Sequence, residues 1–486
     1  MNAPADNSTP AFAPSVRAWF TGIGGCGMSG LARLAAARGV HVRGSDAVAT
    51  DVTQALHDEG IAVTIGHTSL PDDVDLLVHS AAIDANHVEL QWAREAGVNV
   101  INYAQGLGLA QRGRLGVSIA GTHGKSTTSA ILAWILIDTE LDPGFIIGAN
   151  CPQLGGGSRL GAATIPTGPH AGEGGILIAE ACEFNRSFHH HRPILGLITN
   201  VEEDHLDIYG SLEAIIEAFR VFATVLPAAE EGGSLLIAHD GAHRGVITPG
   251  LQCLVKTYGF HPEADYQVVF DQHACRVGIL RDGMWVVHWT THVPGAHMAL
   301  NAAAAVILAH QLGAEWTDAA EAAERFEGLD RRMQHLGERS VADGTVTVYD
   351  DYGHHPTEIE RTLRALRVAE DPRRLICVFQ PHQHSRTRFL LEQFALSFSD
   401  ADDVIVPDIY FVRDSEAEQK KVSSADLVDR LLKRGVQARH VSDFDAIVDL
   451  LQTELSDGDL LVIMGAGPVW TIGRDYMASA IQPATA

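Results

Sequence analysis

A lysine and a serine follow a glycine-rich turn in the segment GTHGKST, residues 121–127. The apolar run LGVSIA precedes the turn, and a helical pattern follows it. Backbone N–H groups at such a turn, together with the N-terminus of the next helix, form a cradle for an anion. Lys125 can reach the terminal phosphates of a nucleotide, and the Ser126 hydroxyl can bind Mg²⁺. The segment predicts a nucleotide-phosphate loop. Ile119 stands where a standard loop has its first glycine, so an ordinary βα turn with a solvated lysine is the alternative.

A second glycine cluster, GIGGCGMSG at residues 22–30, ends one apolar run and opens a helical pattern. It contains G-x-G-x-x-G as Gly22, Gly24 and Gly27, and Asp46 ends the next apolar run, where an acid could bind a ribose. Taken alone, the cluster indicates an NAD enzyme or simply a tight turn of an α/β fold. An enzyme that uses ATP together with a nucleotide-linked substrate explains both loops.

Two polar residues are expected at strand ends near the phosphate loop. Glu180 closes an apolar run in AEACE, and His205 follows another in TNVEEDHLD. Ligands of parallel α/β sheets bind at such strand ends. A carboxylate and a hydroxyl suit Mg²⁺, whereas imidazole is a less usual ligand for this ion. Ser126 and Glu180 together suit a magnesium site, and His205 is a separate hypothesis; a solvated strand-end residue is the alternative for Glu180 and for His205.

Two further segments in the last third of the chain contain several titratable residues directly after a predicted strand. They are YDDYGHHPTEI at residues 349–359 and FQPHQHSRT at residues 379–387. A high density of acids, histidines and arginine at one sheet edge indicates a functional site. A polar rim on a large domain is the simpler alternative.

Short apolar runs alternate with helical patterns along most of the 486 residues, which predicts parallel α/β sheets. This length exceeds one hydrophobic core. We expect three α/β domains, at residues 16–112, 113–328 and 329–486, behind a disordered tail at residues 1–15. The first and last would be Rossmann-like, and the central one a P-loop-type ATPase domain with a mainly parallel sheet. Asp282-Gly283 predicts a hairpin within the central domain.

Composition excludes several classes of function. The formal net charge of −26 argues against a nucleic-acid surface, which needs clustered Lys and Arg. The six cysteines form no C-x-x-C pair, so free thiols in a reducing compartment are expected. The N-terminal residues lack the features of a signal peptide, and no apolar run approaches the roughly 20 residues of a membrane helix. We therefore expect a cytoplasmic protein without membrane insertion.

Together these motifs resemble the Mur ligase family, the ATP-dependent amide ligases of peptidoglycan precursor synthesis. The resemblance runs from about Ala18 through GTHGKST, EACE, TNVEEDHLD, GAHMALNAAAA, GLDRR, DDYGHHPTEI and FQPHQHSRT. The last two segments resemble most those members that join L-alanine to UDP-N-acetylmuramate. Members that add a whole tripeptide to the same sugar nucleotide differ at both segments and are the nearest alternative.

The resemblance implies a ligand for each group of residues, with one domain each for the UDP-sugar, ATP and the amino acid. The UDP-sugar would contact six residues of the first domain: Gly24, Gly25, Gly27, Ser29, Asp46 and Ser80. ATP would contact the phosphate loop and three later residues: Gly121, Thr122, His123, Gly124, Lys125, Ser126, Thr127, Asn301, Arg331 and Asp351. L-alanine would contact Tyr352, His354 and Arg386. The metal ligands would be Ser126, Glu180 and His205, and the catalytic residues Lys125, His205 and His354.

Two positions depart from the family pattern. Met298 stands where an asparagine commonly follows the histidine of GAHMALN, so the adenine contact rests on Asn301. Gln383 replaces an arginine of many relatives, which leaves Arg386 as the expected carboxylate contact. The helix after DHLD contains no lysine, so the carbamylated lysine of several sister ligases is not expected.

The implied chemistry passes the γ-phosphoryl group of ATP to a carboxylate, and an amine then attacks the acyl phosphate. Phosphoryl transfer relies on positioning and charge neutralisation, which suits Lys125 and Mg²⁺. His354 is a candidate base for the amine. Because the groups come from three domains, the third domain is expected to close over ATP. A dehydrogenase and a nucleotide-binding regulator without ligase activity remain the alternatives from other classes. The sequence leaves monomer and homodimer open.

Overall fold

The computed structural model describes residues 12–66, 69–412 and 414–479. Within these ranges the chain forms three separate sheets with helices packed on them, which confirms the three-domain α/β fold. Residues 1–11 of the predicted tail lie outside the described residues, and Phe12 packs in the core of the first domain. The domain boundaries at residues 15, 112 and 328 remain predictions. No helix in the described part of the chain is long and apolar enough to cross a membrane.

The first domain is built on five parallel strands in the order β3-β2-β1-β4-β5. The strands are β1 (Arg17–Thr21), β2 (His41–Asp46), β3 (Ala62–Ile65), β4 (Leu76–His79) and β5 (Asn99–Asn102). The helices are α1 (Cys26–Ala37), α2 (Asp51–Asp58), α3 (Val88–Glu95) and α4 (Tyr103–Gln111). The order changes direction at β1 and β4, so a crevice opens at their carboxyl ends.

The central domain contains ten strands in the order β15-β14-β13-β12-β11-β10-β6-β9-β7-β8. They are β6 (Leu115–Ala120), β7 (Gly144–Ile146), β8 (Ser158–Arg159), β9 (Ile176–Glu180), β10 (Leu195–Ile198), β11 (Ser234–Ala238), β12 (Leu254–Gly259), β13 (Tyr266–Asp271), β14 (Arg276–Arg281) and β15 (Met284–Thr290). Its helices are α5 (Lys125–Asp138), α6 (Leu206–Tyr209), α7 (Leu212–Ala223), α8 (Arg244–Ile247), α9 (Ala296–Gln311) and α10 (Trp316–Glu324).

The central sheet is parallel except at its two ends. Strands β7 to β13 pair in parallel through β9, β6, β10, β11 and β12, whereas β8, β14 and β15 run antiparallel to their neighbours. The predicted hairpin is confirmed between β14 and β15, where Asp282 and Gly283 have φ values of 53° and 75°. Two successive positive φ angles form a turn whose twist matches that of the flanking strands.

The third domain contains six strands in the order β16-β17-β21-β18-β19-β20, with only β16 antiparallel. The strands are β16 (Gln334–Val341), β17 (Gly344–Asp351), β18 (Arg374–Phe379), β19 (Asp403–Val406), β20 (Gln437–His440) and β21 (Asp459–Met464). The helices are α11 (Pro356–Glu370), α12 (His384–Phe389), α13 (Leu391–Leu396), α14 (Glu416–Gln419), α15 (Ser424–Lys433), α16 (Phe444–Glu454) and α17 (Trp470–Ala478).

Sheet register explains why the motifs meet. In the central domain β6 lies between β9 and β10, so the phosphate loop after β6 and Glu180 at the end of β9 share one edge. In the third domain β17 and β18 both flank β21, and Asp351 and Phe379 both pair with Met464. The two histidine-rich segments therefore begin side by side.

Candidate active site

The phosphate loop connects β6 to α5 through backbone conformations that only glycine adopts easily. Gly121 and Gly124 have φ values of 141° and 82°. A Cβ atom on Gly124 would lie 2.4 Å from Oδ1 of Asn301, so the loop packs directly against α9. Helix α5 is buried along most of its length, which fixes the loop rigidly on the core. Among the described residues no side chain caps the start of α5, so its first N–H groups are open to an anion.

Lys125 folds back over this loop. Its Nζ atom donates to the Thr122 carbonyl at 3.0 Å and lies 2.9 Å from Oε2 of Glu183. Burial alone would lower the pKa of Lys125, but the charges of Glu183 and Glu180 raise the pKa above its ordinary value. The amine is therefore a permanent cation at the loop, as binding to a terminal phosphate requires.

Ser126 and Glu180, for which the sequence predicts a role in binding magnesium, are in direct contact. The Ser126 hydroxyl donates to Oε2 of Glu180 at 2.8 Å, and the Gly148 N–H donates to the same oxygen at 2.8 Å. A carboxylate and a hydroxyl beside a phosphate loop are the hard oxygen donors that Mg²⁺ prefers, so the pair fits this ion. His205 lines the same cavity, and its Nε2 atom lies 3.5 Å from Oδ2 of Asp204.

A cavity of about 470 Å³ lies between the central and third domains and collects most of the predicted residues. The predicted site residues that line this cavity are Thr122, His123, Gly124, Lys125, Ser126, Thr127, Glu180, His205, Arg331, Tyr352 and His354. A second cavity of about 330 Å³ adjoins it along the loop, and Asn301 and Asp351 line that one. The two cavities share His123, Gly124 and Thr127, so together they offer one elongated site along the loop.

His354 is a neutral imidazole inside the larger cavity. Burial, opposed by Glu358 and assisted by Arg386, lowers the pKa of His354 to about 3. Its Nδ1 atom lies 3.2 Å from the Tyr352 carbonyl, which favours the proton on Nδ1 and a lone pair on Nε2. A neutral ring with a lone pair on Nε2 can accept a hydrogen bond from an amine, whereas a pKa of about 3 makes it a weak base, so its role as the base remains a prediction.

Arg386 forms an ion pair with Asp204, a contact that the sequence analysis did not predict. Its Nε and Nη2 atoms donate to Oδ1 of Asp204 at 3.1 and 2.9 Å, and both side chains are buried. Despite its own burial, Asp204 has a pKa below the ordinary value, chiefly because of the Arg386 charge. Arg386 lines a small pocket with Asp204 and His205 instead of the large cavity. Its contact with L-alanine remains a prediction, and Gln383 beside it is buried.

The third-domain residues predicted to reach ATP are held by local bonds. The Arg331 Nε donates to Oδ2 of Asp350 at 3.2 Å, and its guanidinium packs over the Tyr352 ring at 5.1 Å. Asp351 accepts the N–H groups of Met333 and Gly353 at 2.7 and 2.6 Å. Burial raises the pKa of Asp351 to about 6. These bonds fix both side chains at the cavity walls.

A third cavity, of about 310 Å³, lies at the carboxyl ends of β1, β2 and β4 in the first domain. Gly24, Gly25, Asp46 and Ser80 line it, and the Gly24 N–H donates to Oδ2 of Asp46 at 2.8 Å. Two other predicted residues do not line it. A Cβ on Gly27 would lie 2.4 Å from the Tyr103 hydroxyl, because α1 packs closely on α4 there, and Ser29 is buried within α1.

Sequence reasoning missed the acids that surround the predicted residues. Glu183 pairs with Lys125, Asp204 with Arg386, and Glu358 with His123 at 3.0 Å. All three acids stand within the quoted motifs, so their position gave a signal. Glu358 also occupies the third position of α11 in a capping box, a pattern that by itself indicates a helix start.

The matches to protein families follow the three domains. Residues 18–114 match the model described as Mur ligase family, catalytic domain, and residues 119–309 match the Mur ligase middle domain. Residues 331–467 match the model described as Mur ligase, glutamate ligase domain. The fold and the site thus define a three-domain protein of the ligase type, with its phosphate loop in the middle domain.

Comparison with individual proteins gives the same family. The chain is 36% identical over 469 residues to the UDP-N-acetylmuramate–L-alanine ligase of Caldanaerobacter subterraneus subsp. tengcongensis, covering 95% of this chain and 97% of that one. This chain belongs to the Mur ligase family.

Two solved structures share the fold. The UDP-N-acetylmuramate–alanine ligase of Thermotoga maritima superposes with a TM-score of 0.71 at 24% identity, over 95% of this chain and 98% of that one. The murein peptide ligase of Psychrobacter arcticus gives 0.68 at 23% identity, over 96% of this chain and all (100%) of that one. Because both scores are similar, the fold does not distinguish the two activities.

Proposed function

We propose that this chain joins L-alanine to the carboxylate of UDP-N-acetylmuramate at the expense of ATP. The products are UDP-N-acetylmuramoyl-L-alanine, ADP and phosphate. The observation that carries the proposal is the cavity between the central and third domains, where Lys125 of the phosphate loop and the neutral His354 line one space. The L-alanine ligase relative that matches nearly the whole chain supports the choice of substrates.

The first step transfers a phosphoryl group. A carboxylate oxygen of the sugar nucleotide attacks the γ-phosphorus of ATP, the bond to the β,γ-bridging oxygen breaks, and ADP leaves. Lys125 lies at the loop where the terminal phosphates would bind, and its charge offsets the charge that develops there. Ser126, Glu180 and His205 would hold Mg²⁺, which neutralises phosphate charge when bound.

The second step forms the amide bond. The amine of L-alanine attacks the acyl carbon, and the bond to the phosphate oxygen breaks, so that phosphate leaves with the electron pair. The ammonium group of L-alanine loses one proton to solvent before it attacks, and the departing phosphate can take the second proton. The neutral His354 ring can accept a hydrogen bond from the amine at Nε2 and orient it, whereas its low pKa makes it a weak base, and its role as the base remains a prediction. Tyr352 and Arg386 are the residues that we expect beside the amino acid.

The first-domain cavity is the proposed site for the uridine part of the substrate. Asp46 and Ser80 offer polar contacts there, and the glycines leave room for a close approach of the ligand. A cytoplasmic location, where nucleotide substrates are available, belongs to the same proposal. Monomer and homodimer remain equally open predictions.

Release of phosphate from ATP tests this function directly. Purified protein with Mg²⁺, ATP and UDP-N-acetylmuramate is supplied with L-alanine, with other amino acids, or with the tripeptide. We expect release with L-alanine to exceed release with the tripeptide by at least about tenfold. Faster release with the tripeptide would establish the murein peptide ligase activity instead.

Controls separate the other classes of function. Omission of the sugar nucleotide should abolish amino-acid-dependent release. If the protein were a nucleotide-binding regulator, it would bind ATP without such release. If it were a dehydrogenase, a nicotinamide cofactor would change its fluorescence when mixed with the protein. Either of these two results would contradict the proposal.

A further inference from the structure

The side chain of His123 leaves the phosphate loop and reaches the third domain. Its backbone is tied to the central domain, because its N–H donates to Oδ1 of Asn200 at 2.9 Å and its carbonyl accepts the Thr199 hydroxyl at 2.6 Å. Its ring points elsewhere: Nδ1 lies 3.0 Å from Oε1 of Glu358, 235 residues later in the chain. One residue of the loop thus contacts both domains.

Two carboxylates face the His123 ring. Besides the contact with Glu358, Nε2 lies 3.4 Å from Oε2 of Glu202, and the His123 side chain is only 8% exposed. Burial would lower the pKa of His123, but Glu358 and Glu202 raise it to about 9. The two carboxylates favour the imidazolium at neutral pH; Nδ1 is hydrogen-bonded to Glu358, whereas Nε2 lies near Glu202 without a hydrogen bond to it.

Glu358 continues the path toward the predicted amino-acid site. Its second oxygen, Oε2, accepts the backbone N–H groups of His354 and His355 at 2.9 and 3.2 Å. The bond to the His355 N–H belongs to the capping box at the start of α11, and the bond to the His354 N–H extends this link by one residue. A continuous chain of hydrogen bonds runs from the phosphate loop through Glu358 to His354.

We propose that His123 and Glu358 are a positioning pair that couples nucleotide binding at the phosphate loop to the placement of His354 around the amino acid. This inference rests on the proposed ligase function. A bound triphosphate holds the loop backbone, and this fixes the direction in which the His123 ring presents its N–H to Glu358. The pair then holds the third domain in the position that places His354 for the second step. Neither side chain is proposed to touch the reacting atoms.

Other bonds also join the two domains. The Thr357 hydroxyl donates to Glu202 at 2.5 Å, and the Glu202 N–H donates to the Thr122 hydroxyl of the loop, so this bond is a second link between the loop and the start of α11. The Asp330 N–H donates to the Asn150 carbonyl at 3.1 Å and lies outside both links. The alternative to a positioning pair is thus one more contact that only adds to domain adhesion.

A double-mutant cycle distinguishes the two roles. The variants are Glu358→Gln, which keeps the shape of the side chain, His123→Asn, and the double variant. We expect each single variant to lower kcat/KM for L-alanine by about tenfold or more, with the dissociation constant of a fluorescent ATP analogue within about threefold of wild type. In the double variant kcat/KM should fall no further than in the less active single variant, because both substitutions break the same bond.

Glu360→Gln provides the matched control. Glu360 lies on the same helix two residues further on, is exposed, and undergoes the same change of charge. We expect wild-type kinetics from it. Thermal unfolding confirms that each variant is folded, and His123→Gln replaces His123→Asn if the latter does not fold.

Three results would overturn the inference. The first is a fall in kcat/KM of the double variant equal to the product of the falls in the two single variants. The second is a rise in the dissociation constant of the ATP analogue that parallels the fall in kcat/KM for L-alanine. The third is a Glu358→Gln variant as active as Glu360→Gln. If wild-type protein shows no alanine-dependent phosphate release, the proposed function fails instead. X-ray scattering then tests the pair separately: the ATP analogue should compact wild type but not Glu358→Gln, and equal compaction would refute the coupling.

Discussion

The two glycine-rich loops of this chain begin alike and differ in the side chains around them. Each follows a central parallel strand and opens a helix, α1 or α5, that has no side-chain cap within the described residues. In the central domain Lys125 lies over the loop and Ser126 contacts Glu180. In the first domain the Gly24 N–H is bonded to Asp46, and the described lining of its cavity contains no lysine or arginine.

This difference shows what a glycine pattern can and cannot establish. Glycines permit the tight turn and the close approach of a ligand in both loops. The chemistry comes from the side chains around each loop: Lys125 and the Ser126–Glu180 pair in the central domain, and the Asp46 carboxylate in the first domain. We infer that the glycine-rich loop of the first domain only binds a ligand, whereas the phosphate loop of the central domain also takes part in the reaction.

Removal of the Lys125 charge should give the largest effect. We expect Lys125→Ala to lower turnover by at least about 10³-fold, since the cation offsets charge in the transition state. The fold should be retained, as thermal unfolding can check. Activity within about tenfold of wild type, roughly 1.4 kcal/mol, would contradict the role of this side chain. Lys421→Ala is the control, because Lys421 is half exposed on the third domain.

The carboxylate of Glu180 should matter next. Glu180→Gln keeps an oxygen for the bonds from Ser126 and Gly148 but removes the charge. We expect turnover at fixed Mg²⁺ to fall about 100-fold and to recover in part as the Mg²⁺ concentration rises. A magnesium titration of initial rates measures this. An unchanged magnesium requirement would place the ion elsewhere, and Glu173→Gln at an exposed site is the control.

In the first loop, Asp46→Asn should affect binding alone. We expect KM for UDP-N-acetylmuramate to rise about tenfold, as loss of a hydrogen bond to a charged group implies, with kcat within about twofold. Asp72→Asn, at an exposed position of the same domain, should leave both constants unchanged. If kcat fell as far as it does in Glu180→Gln, the separation of a binding loop from a reacting loop would be wrong.

The fold and half of the site were accessible from the sequence for a physical reason. Strand ends of a parallel sheet meet at one edge, so Ser126 and Glu180 could be placed together from their positions after apolar runs. The pairs Asp204–Arg386 and His123–Glu358 could not, because they join residues 182 and 235 positions apart in different domains. Only domain docking brings them together, and hydrophobic periodicity carries no information about it.

Gly27 and Ser29 illustrate a second limit. Both lie in the glycine cluster and were predicted to contact the UDP-sugar, but helix α1 carries them away from the cavity lining. Gly27 instead allows the close packing of α1 against Tyr103. A glycine needed for packing and one needed for a ligand look the same in sequence.

The smallest expected effect is on pH dependence. The pKa of His123 is raised from 6.5 to about 9 in the folded state. The contribution of the charged ring to the free energy of unfolding is therefore complete below about pH 6.5 and is lost as the pH rises through 9. We expect the difference in melting temperature between wild type and Glu358→Gln, a few degrees at pH 7, to shrink toward pH 10. The same comparison for Asp46→Asn should show no such trend. A difference for Glu358→Gln that grew above pH 9 would contradict a charged His123.

The most direct test of the account follows one oxygen atom. UDP-N-acetylmuramate labelled with ¹⁸O in its carboxylate is incubated with the protein, ATP, Mg²⁺ and L-alanine, and the released phosphate is analysed by mass spectrometry. Transfer of the γ-phosphoryl group to that carboxylate predicts one ¹⁸O atom in each phosphate formed from a fully labelled carboxylate. Phosphate without label, released together with the amide product, would contradict the acyl-phosphate route.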